Sequence, residues 1–332
     1  MIKQAILTKE KELVKNFLAG FDLGYSNLDE SYYMDDQEGI IATLSLDGNI
    51  LKGLATNPTY RGENLAGELV GFAINLLRER SIYSYHVFTK SEYIFVFSSM
   101  GFRLLADTGK VAFMEGGVDH IEEVIHDIQK LAESHFGIAL KNHDIGTIVV
   151  NCNPITLGHY QLIENAAKDH EYLLVFVVET DESTFTYKER FSLVYLALKP
   201  LANVLVLPST NYIVSKSTFP SYFLKRLDDR EKEHAMLDAL IFKHYFMPLL
   251  NIRLRHVGTE TDAVMVAYNT ILKETLGNQL KEIERYRQDE LIISASLVRR
   301  LMNENKIDEA LTYVPNAIRP LLRGIMMEKN GK

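Results

Sequence analysis

Thr147-Ile148-Val149-Val150-Asn151-Cys152-Asn153-Pro154-Ile155-Thr156-Leu157-Gly158-His159 decides the fold of the larger part of this 332-residue chain. The β-branched run Thr147 to Val150 predicts a strand, and Pro154 and Gly158 punctuate a turn. Leu162, Ile163, Ala166 and Ala167 then fall on one face at helical spacing. A strand that turns into a helix brings Thr156, His159 and the first helical N–H groups to the carboxyl edge of a sheet. Those N–H groups lack intrahelical partners and carry the positive end of the helix dipole, so they attract phosphate. A histidine beside them can donate to a phosphate oxygen that gains charge in a transition state. The same residues also fit a plain turn in which Thr156 caps the helix and His159 is exposed.

The alternation continues beyond this stretch. Tyr172 to Val178, Val204 to Leu207 and Arg255 to Val257 are short apolar runs, each followed by a helical pattern. Strands separated by helices predict a parallel sheet covered on both faces, which binds ligands at its carboxyl ends. Far downstream, Ile292-Ile293-Ser294-Ala295-Ser296-Leu297-Val298-Arg299-Arg300 enters a helix with two hydroxyls and a guanidinium at its start. Ser and Arg so spaced can cradle outer phosphates, the guanidinium through charge-assisted contacts. An ordinary serine cap with exposed arginines is the competing reading.

The first part of the chain differs. Ile40 to Leu46 and Ile50 to Thr56 flank Asp47-Gly48-Asn49, a hairpin turn. Leu65, Leu69, Phe72, Ala73, Leu76 and Leu77 mark a helix from about Asn64 to Arg80. Tyr85 to Thr89 is a further strand, and Gly116-Gly117 is the strongest boundary signal in this half. We therefore expect a domain over 1–117, a connecting helix over 118–141 and a second domain over 142–332.

Composition narrows the function classes. Lys and Arg number 36 against 44 Asp and Glu, a formal charge of −8, and 47% of residues are hydrophobic. An acidic balance argues against nucleic acid or an anionic membrane as partner, because counterion release rewards a basic surface. Cys152 is the single cysteine; it permits no internal disulfide and no multi-cysteine metal site, so a cytoplasmic location is expected. No apolar run approaches the roughly 20 residues of a membrane span.

Thr156-x-Gly158-His159 after a strand, with Ile293-Ser294-x-Ser296-x-Val298-Arg299 near the C-terminus, resembles the paired signatures of the nucleotidyltransferase superfamily. Three further stretches are similar to the [citrate (pro-3S)-lyase] ligase family: Val257-Gly258-Thr259-Glu260, Ser183-x-Phe185-x-Tyr187-x-x-Arg190-Phe191 and Tyr212 to Lys225, with its Phe219-Pro220-Ser221-Tyr222-Phe223 core. Thr59-Tyr60-Arg61-Gly62-Glu63-Asn64-Leu65-Ala66 resembles the pyrophosphate loop of GNAT acetyltransferases, with Asn64 and Ala66 at two glycine positions. Together these imply an α/β protein: a GNAT-like α+β domain followed by a Rossmann-like, parallel-sheet nucleotidyltransferase domain. They imply a ligase that uses ATP, Mg2+ and acetate to acetylate the prosthetic-group thiol of the citrate lyase acyl carrier subunit, through acetyl-adenylate, releasing AMP and pyrophosphate.

The resemblance also implies roles. His159, Thr156 and Arg299 are the expected catalytic residues, and Asn153, Gly158, Arg190, Gly258, Glu260, Ser294 and Ser296 the expected ATP-binding ones. Ser221, Tyr222 and Lys225 are candidates for acetate or carrier; Arg61, Gly62, Asn64 and Ala66 for a CoA-like group. No protein-borne metal cluster is expected. Cys152 reads as a small packed hydrophobe, because no neighbouring charge lowers its thiol pKa. Glu179 and Asp181, after the second strand, are candidates to orient ribose or metal, though acidic residues at strand ends are usually solvated. The run Asp228 to His234 reads as a solvated helical face. Two other functions stay open from the sequence: adenylyl transfer to a small phosphorylated acceptor, and an acetyltransferase or acetyl-CoA sensor acting through the first domain.

Overall fold

The computed structural model describes residues 1–21, 23–25, 30–60, 62–179, 183–213, 227–284, 287–288 and 291–330, with backbone alone for 227–230, 287–288 and 291–292. It divides into two compact units, Met1–His120 with Thr218–Leu237, and Ile121–Ser217 with Asp238–Lys332.

The first unit contains β1 (Ile2–Gln4), α1 (Thr8–Ala19), β2 (Glu30–Asp35), β3 (Ile40–Asp47), β4 (Ile50–Thr56), α2 (Leu65–Glu79), β5 (Ser84–Lys90), α3 (Ile94–Ser99), β6 (Arg103–Asp107) and β7 (Val111–Gly117). Its seven strands run β1-β2-β3-β4-β5-β7-β6. Every neighbouring pair is antiparallel except β4 and β5, which are parallel and paired only at Ile50–His86 and Leu51–Val87. The expected hairpin around Gly48 joins β3 to β4, and α2 buries Leu65, Leu69, Val70, Ala73 and Leu77 against the sheet's Leu44, Leu46 and Leu51. Gly117 ends β7 at φ +107°, where a Cβ would lie 1.9 Å from the Tyr83 carbonyl oxygen; no other residue fits. This is the α+β domain the sequence implies.

The second unit contains α4 (Ile121–Phe136), β8 (Ile145–Val150), α5 (Leu157–Lys168), β9 (Tyr172–Val177), α6 (Tyr187–Leu198) and β10 (Val204–Pro208). After α7 (Leu227–Ile241), which starts among residues of the first unit, come α8 (Met247–Leu249), β11 (Ile252–Gly258), α9 (Ala263–Leu276) and β12 (Leu280–Ile283). A short ribbon, β13 (Arg287–Gln288) and β14 (Leu291–Ile292), leads to α10 (Ala295–Asn303), α11 (Ile307–Thr312) and α12 (Arg319–Asn330). The five-stranded sheet has the order β10-β9-β8-β11-β12 and is wholly parallel. Chain direction across the sheet reverses between β8 and β11, and such a switch point is where an open parallel sheet leaves a crevice at its carboxyl edge. One hydrophobic core joins Ile148, Val150, Ile163, Leu173, Val175 and Leu193 to Val298, Leu301, Leu311 and Leu322. Burial of the C-terminal helices on this core carries the distal Ser-x-Ser-x-x-Arg segment back to β8.

Leu280–Ile283 forms a strand that no apolar run announces, because Lys281 and Glu282 interrupt it; it is a short edge strand with those two side chains exposed. One expectation changes. Glu233 and His234 are buried rather than solvated, and Glu233 ion-pairs with Lys110 at 3.7 Å. Among the described residues no helix is long and apolar enough to cross a membrane.

Candidate active site at the sheet switch point

β8 ends at Val150, and the chain then turns through Cys152 at φ +48° and a cis Asn153–Pro154 bond into α5. Thr156, fully buried, is the N-cap: its hydroxyl accepts the His159 N–H at 3.4 Å. The reciprocal half of this box is unusual. Histidine replaces the customary glutamate, and its Nδ1 accepts the Thr156 backbone N–H at 3.2 Å while lying 2.9 Å from the Thr156 hydroxyl. With an N–H donor on Nδ1, the proton of the neutral imidazole belongs on Nε2. The threonine thus fixes both ring orientation and tautomer, and the ring's donor is Nε2.

The distal segment closes on this turn at two points. A Cβ on Gly158 would stand 2.7 Å from the Ile293 carbonyl oxygen, so the absence of a side chain lets that backbone rest on the first turn of α5. Arg299 donates from Nη1 to the Asn153 carbonyl at 2.6 Å and from Nη2 to the Ser296 hydroxyl at 3.1 Å. Ser294 caps α10 by accepting the Leu297 N–H at 3.2 Å. Among the described residues no carboxylate lies within ion-pair distance of Arg299, and partial burial lowers its pKa below the ordinary arginine value. Arginine nevertheless stays protonated. A half-buried guanidinium whose partners among the described residues are neutral oxygens can take an anion. Asn153, Thr156, Gly158, His159, Ser294, Ser296 and Arg299, separated by up to 146 positions, therefore form one cluster.

Arg190 occupies a different place from a phosphate ligand. It is fully buried and donates to three backbone carbonyls: Phe185 from Nε at 3.2 Å, Asn151 from Nη1 at 2.8 Å and Val178 from Nη2 at 2.9 Å. It ties together the ends of β8 and β9 and the start of α6, and so braces the rim. Asn153 adds a second tie, its Oδ1 accepting the Phe185 N–H at 3.0 Å. Cys152 is buried, and burial pushes its thiol well above the ordinary cysteine range; it is packing, not a nucleophile.

Gly258 and Glu260 lie at the carboxyl end of β11, across the switch point from Asn153. The Gly258 carbonyl accepts Asn269 Nδ2 at 2.9 Å, which fixes the strand end. In the first unit Asn64 caps α2 in the left-handed region at φ 55°, and its side chain covers Gly67. Gly62 is left-handed too, and Ala66 sits in the first turn of α2. Arg61, Ser221, Tyr222 and Lys225 lie outside the described residues. Among the described residues no three His, Cys, Asp or Glu side chains group as metal ligands. Glu179, a candidate to orient ribose or metal on a strand end where acids are usually solvated, is partly buried; its one sequence signal is that it is the first charged residue after the β9 apolar run.

Residues 145–319 match the family described as "Citrate lyase ligase C-terminal domain". The chain is 33% identical to the [citrate [pro-3S]-lyase] ligase of Escherichia coli K12, over 92% of this chain and 88% of that one. It is 30% identical to the [citrate [pro-3S]-lyase] ligase of Haemophilus influenzae, over 94% and 95%. Among solved structures, a GNAT-family acetyltransferase from Staphylococcus aureus Mu50 aligns with 36% of this chain and 100% of its own, at 16% identity and TM-score 0.31. The ribosomal-protein-S18-alanine N-acetyltransferase of Escherichia coli aligns with 36% of this chain and 96% of its own, at 13% identity and TM-score 0.28.

Proposed function

The chain belongs to the citrate lyase ligase family, and from that premise we propose that it spends ATP to join acetate to the prosthetic-group thiol of the citrate lyase acyl carrier subunit. The observation that carries this reading is Arg299, a cation with no carboxylate partner among the described residues, held by the Asn153 carbonyl beside the N-terminus of α5. Such a place suits a triphosphate.

The reaction has two steps. An acetate oxygen attacks the α-phosphorus of ATP, and pyrophosphate departs. The carrier thiolate then attacks the acetyl carbonyl, forming the C–S bond while the C–O bond to AMP breaks. In the first step His159 Nε2–H donates to a phosphate oxygen as charge moves onto the leaving pyrophosphate. Thr156 keeps that imidazole in the donating tautomer. Ser294, Ser296 and Arg299 hold the β- and γ-phosphates, Gly258 and Glu260 flank the adenosine, and Arg190 and Asn153 keep the rim in register. Mg2+ would enter with the nucleotide, held by phosphate oxygens and water as that hard ion prefers, and would supply neutralisation of phosphate charge. Ser221, Tyr222 and Lys225 are assigned to the acetate or carrier side on resemblance. Gly62, Asn64, Ala66 and Arg61 are assigned to the carrier's CoA-like arm. We place the protein in the cytoplasm and divide it at 117 and 142.

Incubation with ATP, labelled acetate and thiol-form carrier should yield AMP and acetyl-thioester in equal amounts. AMP retained on an acceptor would replace this reading with adenylyl transfer. Acetyl transfer from acetyl-CoA without ATP would move the activity to the first unit.

A further inference from the structure

The second step needs a thiolate, and at neutral pH a thiol of ordinary pKa, about 8.5, is only a few per cent ionised. The residues that gather around the phosphates do not supply that base: the Thr156 N–H and Arg299 are donors, and His159 Nδ1 is already an acceptor for Thr156.

We propose that Glu179 is the base that receives the carrier thiol's proton. The proposal rests on the two-step reading above and adds a residue to it. Glu179 stands two residues beyond β9, next to β8 in the sheet, at the carboxyl edge. Its neighbour Val178 is locked to the β8 turn twice: the Val178 N–H donates to the Val150 carbonyl at 2.9 Å, and Arg190 holds the Val178 and Asn151 carbonyls with its two terminal nitrogens. Glu179 is therefore fixed beside the turn that carries His159.

The turn after β10 seats it on the other side. The Glu179 N–H donates to the Ser209 hydroxyl at 3.0 Å, and Glu179 Oε1 accepts the Thr210 N–H at 3.3 Å. That contact leaves Oε2 with no donor among the described residues, and no Lys or Arg there pairs with the carboxylate. The titratable side chain facing it from α6 is Tyr187, whose phenol is pushed up to about 12, first by burial and then by the charge of Glu179. Burial in turn raises the Glu179 carboxyl above its ordinary range. A partly buried carboxylate that no Lys or Arg among the described residues pairs with is costly to fold around, and such groups concentrate at functional sites.

The step balances. Oε2 takes the S–H proton, and the sulfur's electron pair forms the C–S bond to the acetyl carbon. The C–O electron pair leaves on AMP, and the proton on Glu179 passes to solvent as the product departs.

The test is Glu179→Gln, which keeps the Thr210 acceptor and removes the basic oxygen. Two reactions are measured: acetate-dependent exchange of labelled pyrophosphate into ATP without carrier, and thioester formation with carrier from pH 6.5 to 9. Exchange should stay within a few-fold of wild type. Thioester formation should fall about 100-fold at pH 7, the low end for losing a general base, and climb about tenfold per pH unit toward wild type as the thiol ionises unaided. A thioester rate and pH profile equal to wild type would overturn the proposal. So would an equal loss in both reactions, which would make Glu179 a nucleotide ligand. Failure of exchange in the wild-type enzyme would instead remove the two-step reading itself.

Discussion

Replacing Gly158 by alanine probes the join between the two segments proposed to hold phosphate with a single methyl group. The added Cβ would begin 2.7 Å from the Ile293 carbonyl oxygen, and an ordinary contact starts near 3.4 Å. The oxygen belongs to backbone and the Cβ has no torsion to turn it away; α5 or the Ile293–Ser294 turn must recede by about 0.7 Å, a displacement of the kind that costs on the order of 100-fold when it separates catalytic groups. Overpacking of this kind also costs about 1–3 kcal/mol of stability. The assay is AMP release under varied ATP, with urea unfolding measured in parallel. We expect kcat/KM for ATP to fall about 100-fold, by the same positioning argument, in a protein that remains folded. Gly324→Ala, on α12 with nothing within 4 Å of the added methyl, serves as the control. It should gain about 0.5–1 kcal/mol from helix propensity and keep full activity. A Gly158→Ala enzyme within twofold of wild type would refute the reasoning, because the closeness of the two segments would then not matter to the chemistry.

Three other outcomes follow from the same geometry. His159→Ala should lower turnover at least about 100-fold, the scale of one preorganised donor, without unfolding the protein; near-normal AMP release would remove His159 from the chemistry. Arg190→Met should cost about 3 kcal/mol in urea unfolding, since three backbone carbonyls lose a charged donor, and an unchanged midpoint would show that the rim needs no brace. Burial holds His256, and in the first unit His86, at a pKa of about 4. Each binds a proton more weakly folded than unfolded, so each contributes stability that is complete above about pH 6.5 and lost as pH falls toward 4. Urea midpoints between pH 7 and 4 should show that decline, and His256→Gln should make it shallower for the second unit; an identical slope would contradict the assignment.

What the sequence discloses follows from whether the cause is local. The strand, turn and helix around Asn153 to His159 were legible because β-branched runs, proline, glycine and helical spacing all act within a few residues. The hairpin at Gly48 and helix α2 were legible for the same reason. Strand β12 was not, because at the sheet edge its two central positions, Lys281 and Glu282, are exposed and need no apolar pattern. Arg190 was visible as a cation but its use was not: three carbonyls from three separate elements converge on it only after folding. The Thr156–His159 exchange could be suspected from their spacing, yet the tautomer it enforces required the observed Nδ1 contacts. Glu179 looked like a solvated strand-end acid because nothing in its neighbours announces the Ser209–Thr210 turn that seats it.

The central claim is that acetate oxygen attacks the α-phosphorus of ATP in the cluster formed by His159 and Arg299. Acetate labelled with 18O in both carboxylate positions, given with ATP and thiol-form carrier, reports on it directly. If acetyl-adenylate forms and the thiol displaces AMP, each AMP released carries one oxygen from acetate, and the acetyl-thioester keeps the other. Label found in inorganic phosphate, or AMP free of label while thioester accumulates, would contradict the account.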